Sequence, residues 1–122
     1  MLELYDVEVE YVNSEKPKVY IAGPMSGIPE LNHPAFFEVA EAFEEGGWEV
    51  FNPVAHDIEV YGSIEEVEEN ATYRECLAVD LAWICKEADA IAMLPGWEKS
   101  YGARAEHATA VALDLQIIYI ED

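Results

Sequence analysis

"DAIAMLPGWEKSYGARAEHATA" occupies residues 89–110. It passes from an apolar run, through a loop with two glycines, into an alanine-rich helix. A near-continuous apolar run such as 89–94 marks a strand covered on both faces, as strands of parallel sheets are. A helix that follows such a strand at once is half of a strand–helix–strand crossover. One carboxylate, Glu106, stands among Ala103, Ala105, Ala108 and Ala110, in a helix whose small side chains invite close approach by another element.

The same grammar recurs along the chain. "KVYIAG" (18–23) is a second buried strand, and "WEVFNP" (48–53) a third that Pro53 ends. "QIIYI" (116–120) is the last. A helix over about 35–45 places Phe36, Val39, Ala40 and Phe43 on one face. Pro34 suits its first turn, Asn32 or His33 is the expected cap, and Gly46-Gly47 stops it. Residues 54–63 read as loop. A long helix is expected over 64–87, with Asn70 its weak point, and another over 103–113. Upstream, "LELYDVEVEYV" (2–12) sets Val7, Val9 and Tyr11 against Glu8 and Glu10, a period-two strand with one wet face. Alternating strands and helices imply an α/β fold: a doubly wound, mostly parallel sheet of about four strands, plus an N-terminal edge strand or extension over 1–16. All 122 residues are assigned to one domain.

Composition bounds the function. A hydrophobic content of 52% excludes wholesale disorder. No apolar run approaches the ~18–20 residues needed to cross a bilayer, and the acidic, alternating N-terminus is not a signal peptide. A cytoplasmic protein is expected. Cys76 and Cys85, nine residues apart in one helix, are ~13 Å apart, too far for a disulfide, and match no zinc spacing. Buried or half-buried free thiols are expected there. The net charge of −20, from 26 acidic and 6 basic residues, argues against nucleic acid and anionic membrane as partners. A surface suited to high salt, an ordinary acidic protein and a DNA-mimicking interaction protein all remain open.

Ligands of doubly wound sheets bind beyond the carboxyl ends of the strands. The loops there are 23–32, 52–63 and 95–102. Ser100 and Gly102 begin the last helix, where free amides and the helix dipole favour an anion; Ser100 is also an N-cap. Glu106 follows roughly a turn later, and a helix N-terminus favours its charged form, which is the form a nucleophile needs. Asp80 lies on the apolar stripe of the long helix, with Leu77 and Ile84 at spacings of three and four. It is either paired, with Arg74 or a backbone group, or functional; desolvation would raise its pKa and suit it to donate a proton. Asp89 reads as a structural turn residue.

"VYIAGPMSG", "EVFNP", "DLAWICKEADAIAMLPGWEKSYGARAE" and "LQIIYI" resemble the nucleoside 2-deoxyribosyltransferase superfamily over about residues 17–120, and more narrowly its small phage and prokaryotic branch. The resemblance implies a flavodoxin-like sheet and a homodimer or higher oligomer. It implies cleavage of the N-glycosidic bond of a 2'-deoxynucleoside or its 5'-monophosphate, with transfer to water or another base and with neither metal nor cofactor. Glu106 then matches the nucleophile at C1', Tyr20 the tyrosine that orients it, and Asp80 the acid near the departing base. Ser100 and Gly102 match the 5'-end site, and Gly23 shapes the sugar loop. Trp97, in the longer "GWEKS" loop, and Arg74 are the further substrate contacts expected. Ser26 stands where the monophosphate hydrolases often carry arginine, so Arg74, Arg104 or Lys99 would have to meet a phosphate. A non-catalytic nucleotide sensor using the same pocket is the main alternative.

Overall fold

The computed structural model describes residues 16–121. Among the described residues there are four strands: β1 (Lys18–Ala22), β2 (Glu49–Phe51), β3 (Ala90–Met93) and β4 (Gln116–Tyr119). Five α-helices join them: α1 (His33–Glu45), α2 (Pro53–Tyr61), α3 (Ile64–Asn70), α4 (Tyr73–Glu87) and α5 (Tyr101–Ala112), with 3-10 turns at Pro29–Asn32 and Trp97–Lys99. The sheet order is β2-β1-β3-β4. Every pairing is parallel, with Tyr20 opposite Phe51 on one side and Ile91 on the other. This is the flavodoxin-like arrangement. The alternating segment 2–12 lies outside the described residues.

Period two divides the core. Tyr20 and Ala22 of β1 join Ile91 and Met93 of β3 on the face covered by α4 and α5, through Ile84, Ala103 and Ala110. Ile21 points the other way, into a cluster with Phe36 and Ala40 of α1, Val54 of α2 and Val67 of α3. Burial on both faces explains why these strands read as unbroken apolar runs. At the other end of the sheet, the carboxylate of Asp89 accepts from the backbone N–H of Lys18 at 2.8 Å, tying the start of β1 to the start of β3. Among the described residues no helix is long and apolar enough to cross a membrane.

One local expectation is corrected and two are sharpened. Residues 53–61 form α2 rather than loop, because Asn52 caps it: the side chain accepts from the N–H groups of Val54 and Ala55 at 3.0 and 3.3 Å, and Pro53 occupies the first turn. Pro53 therefore ends β2 and opens a helix. The helical stretch 64–87 breaks after Asn70, its expected weak point, into α3 and α4. Thr72 caps α4 by accepting from Glu75 N–H, as Ser63 caps α3 by accepting from Glu66 N–H. Asn32 occupies the N-cap position of α1, as expected, but its side chain makes no capping hydrogen bond; its Nδ2 donates to the Pro24 carbonyl at 3.0 Å and ties down the loop after β1.

Candidate active site

The chain leaves β1 for β2 on one side and then crosses to β3 on the other. The carboxyl ends of β1 and β3 therefore flank the point where strand order reverses, and there a cavity of about 380 Å³ opens. Three elements deliver the polar groups at its centre. From β1, Tyr20 is 0% exposed; from α5, Glu106 is 6% exposed; from α4, Asp80 is 6% exposed. The Tyr20 hydroxyl donates to Glu106 Oε2 at 2.8 Å. Asp80 Oδ1 is buried without a hydrogen-bond partner, and no ion pair joins it to Arg74.

Electrostatics follow from this packing. Burial pushes Asp80 up to about 7 against the pull of the Tyr20 hydroxyl, and the nearby charge of Asp57 adds to the rise. Burial, reinforced by the charge of Asp80, also holds Glu106 well above the usual carboxylate range, while the Tyr20 hydrogen bond opposes the shift. Two desolvated carboxyl groups that repel each other do not ionise together at neutral pH; they share a proton. Tyr20, itself raised well above its ordinary value by burial and by Glu106 and Asp80, stays protonated and keeps its donor. A phenol has one proton to give. Given to Glu106, it favours the charged form of that group, against the burial and the contact with Asp80 that raise it. The helix dipole adds little, because α5 begins at Tyr101 and Glu106 lies beyond its first turn. The small neighbours serve packing: Ala103 and Ala110 are buried against the sheet, which brings α5 close enough for Glu106 to reach β1.

Residues 17–119 match the family described as Domain of unknown function (DUF4406). The chain belongs to the DUF4406 family. The solution structure of BlsM is similar with a TM-score of 0.59 and 22% sequence identity, covering 88% of this chain and 82% of BlsM. At that identity the likeness is one of fold. No curated protein matches.

The cavity of this DUF4406 chain gathers most of the residues its sequence singles out. Gly23, Ser100 and Gly102 line it beside Tyr20, Asp80 and Glu106. Ser100 is an N-cap as well as a lining residue: its Oγ accepts from Ala103 N–H at 3.2 Å. Gly23 answers to packing, since a Cβ there would lie 2.7 Å from Leu94 Cβ. Trp97 and Arg74 stand elsewhere. The 3-10 turn folds Trp97 back so that its ring stacks on His107 at 4.3 Å, beside Tyr119. Arg74 is exposed in the first turn of α4, off the stripe through Tyr73, Cys76, Leu77 and Asp80 that lines the cavity.

Asp57 is the lining carboxylate that sequence reasoning missed. It is 4% exposed on α2, and burial raises its pKa, with His56 and the Cys76 thiol opposing. The signal was a carboxylate on an apolar face, with Val54 three residues before and Ile58 and Tyr61 following. That pattern found Asp80, but it has no meaning in a segment taken for loop. Cys76 also lines the cavity. Burial and the charges of Asp57 and Asp80 push its thiol up to about 11, so it remains a thiol and a poor nucleophile. Both cysteines are free; Cys76 is half-buried as expected, but Cys85 is exposed. Among the described residues no group of three or more His, Cys, Asp or Glu is placed to hold a metal ion.

Proposed function

We propose that this protein cleaves the N-glycosidic bond of a 2'-deoxynucleoside or its 5'-monophosphate, as the nucleoside 2-deoxyribosyltransferase superfamily it resembles does. One observation carries the reading: a buried carboxylate that accepts a tyrosine hydroxyl, Glu106 with Tyr20 at 2.8 Å, faces a second buried carboxyl whose Oδ1 has no partner, Asp80. Two buried carboxyl groups that share one proton can serve as an acid and a nucleophile; we read the tyrosine-bonded Glu106 as the nucleophile and Asp80 as the acid.

In the first step a Glu106 oxygen bonds to C1' as the C1'–N bond breaks. The bond's electron pair leaves with the base, and Asp80 gives the base its proton. The transition state has oxocarbenium character and the product is a deoxyribosyl ester. In the second step water attacks C1', Asp80 takes the water's proton, and Glu106 departs as carboxylate. A second base in place of water gives transfer. A cavity of about 380 Å³ lies within the range of small-molecule sites. Exposed Val79 on α4, and Val111 and Leu113 at the end of α5, support assembly into a dimer or larger, which light scattering tests.

The deciding experiment incubates the protein with the four deoxynucleosides and their monophosphates and follows free base by chromatography. Base release is expected from wild type, with a loss of at least about 10³-fold in Glu106→Ala and an unchanged circular dichroism spectrum. A folded Glu106→Ala protein that retains most of a demonstrated activity rules out this mechanism.

A further inference from the structure

The chain carries six lysines and arginines in all: Lys16, Lys18, Arg74, Lys86, Lys99 and Arg104. None of them lines the cavity. Lys18 begins β1 and bonds Glu87, the last residue of α4, at 2.9 Å. That pair, with Lys86 beside it, marks the end of the sheet opposite the cavity. Lys16, Arg74, Lys99 and Arg104 are exposed, and the Arg104 guanidinium lies over the Tyr101 ring, 5.8 Å from its centroid. The lining instead carries four carboxyl groups: Asp57, Glu68, Asp80 and Glu106.

From this we infer that the ligand of the cavity is an uncharged nucleoside with a free 5'-hydroxyl, not a nucleotide. The inference rests on the glycosidase reading and names its substrate class. A phosphate dianion among ionisable carboxyls, with no lining cation, meets repulsion that desolvation strengthens. Ionised carboxylates are acceptors only, so they complement a ligand rich in donors: sugar hydroxyls and the exocyclic amine of a base. At the mouth of the cavity the neutral groups continue the pattern. The Ser100 oxygen is engaged by Ala103 N–H, which leaves its own proton to give. A Cβ at Gly102 would lie 3.5 Å from the Tyr73 hydroxyl, so the absence of a side chain there leaves that hydroxyl open to a small polar group. One hydroxyl of a sugar fits such a pair; a dianion needs more donors and a cation.

Calorimetric titration tests this with Glu106→Gln, which stops turnover, using 2'-deoxycytidine, 2'-deoxyadenosine and their 5'-monophosphates at 0.1 M potassium chloride. The nucleosides are expected to bind at least about tenfold more tightly than the monophosphates, and inorganic phosphate is expected not to compete. Glu68→Lys, which turns a rim anion into a cation, should narrow the gap by about twofold to fivefold, the range of an exposed pair. Tighter binding of a monophosphate, or competition by inorganic phosphate, overturns the inference whether or not base is released. Nucleoside binding without base release from wild type leaves the ligand class standing and removes the glycosidase reading. Binding of neither ligand removes both.

Discussion

The hydroxyl of Tyr20 on β1 and the carboxylate of Glu106 on α5 meet at 2.8 Å, 86 positions apart in the chain. The phenol is held from behind: its ring stacks on Phe51 of β2 at 5.4 Å, and Phe51 lies tilted against Trp83, 5.0 Å between ring centroids. The hydroxyl is therefore aimed before any ligand arrives, and the charged form of Glu106 is favoured by a donor that need not reorganise.

Tyr20→Phe removes that donor and keeps the ring stack. The expected result is a fall in the rate of base release of about 10- to 100-fold with little change in KM. Without the donor Glu106 ionises less readily, so the acidic limb of the pH–rate profile moves to higher pH. A profile whose acidic limb stays in place would show that Tyr20 does not act through the charge on Glu106.

Asp80 couples the site to stability. Its carboxyl titrates at about 7 in the fold against an ordinary 3.8, so between those values the folded chain holds a proton that the unfolded chain has lost. Stability contributed at this position therefore falls as pH rises through that window. Asp80→Asn, which carries no charge at any pH, should match wild type near pH 4. It should become more stable than wild type by pH 8, by on the order of a few kcal/mol. Urea unfolding at intervals from pH 4 to 8 measures the difference; a gap that does not change with pH contradicts the assignment.

Asp57 adds to the upward push on Asp80 through its charge. Asp57→Asn keeps the shape and removes the repulsion, so Asp80 gives up its proton at a lower pH. The alkaline limb of base release should move down, and the ratio of activity at pH 8 to activity at pH 6 should fall relative to wild type. A ratio equal to or above that of wild type would leave Asp57 as a packing residue only.

Gly23 joins the end of β1 to the cavity rim. An added Cβ would meet the Leu94 side chain at 2.7, 2.8 and 3.0 Å, and Leu94 is fully packed. Gly23→Ala should destabilise the fold by about 1–3 kcal/mol through overpacking. Chemical denaturation measures the loss, and a fully stable Gly23→Ala protein would show that the strand ends can move apart at little cost.

Much of the architecture was readable from residue patterns, because the forces that set it act along short stretches. Burial of a strand on both faces writes itself as "KVYIA" and "AIAML", and glycine and proline punctuate the elements between. Where one residue carries two local roles the reading fails: Pro53 ends β2 and opens α2, and the Asn52 cap that decides the matter looks like any loop asparagine. The loss of α2 carried Asp57 with it.

The candidate site divides in the same way. That Asp80 stands on an apolar helical face, that Ser100 caps α5 and that Glu106 sits among alanines are properties of spacing, and the chain by itself determined them. Family resemblance added the pairing of Tyr20 with Glu106, which no spacing implies. Only the tertiary structure decided that the Tyr20 proton reaches Glu106, that Asp80 Oδ1 is left without a partner, and that Trp97 and Arg74 stand outside the cavity. The physical reason is that desolvation and hydrogen-bond geometry belong to the space enclosed by β1, α2, α4 and α5 together, and no segment of the sequence contains that space.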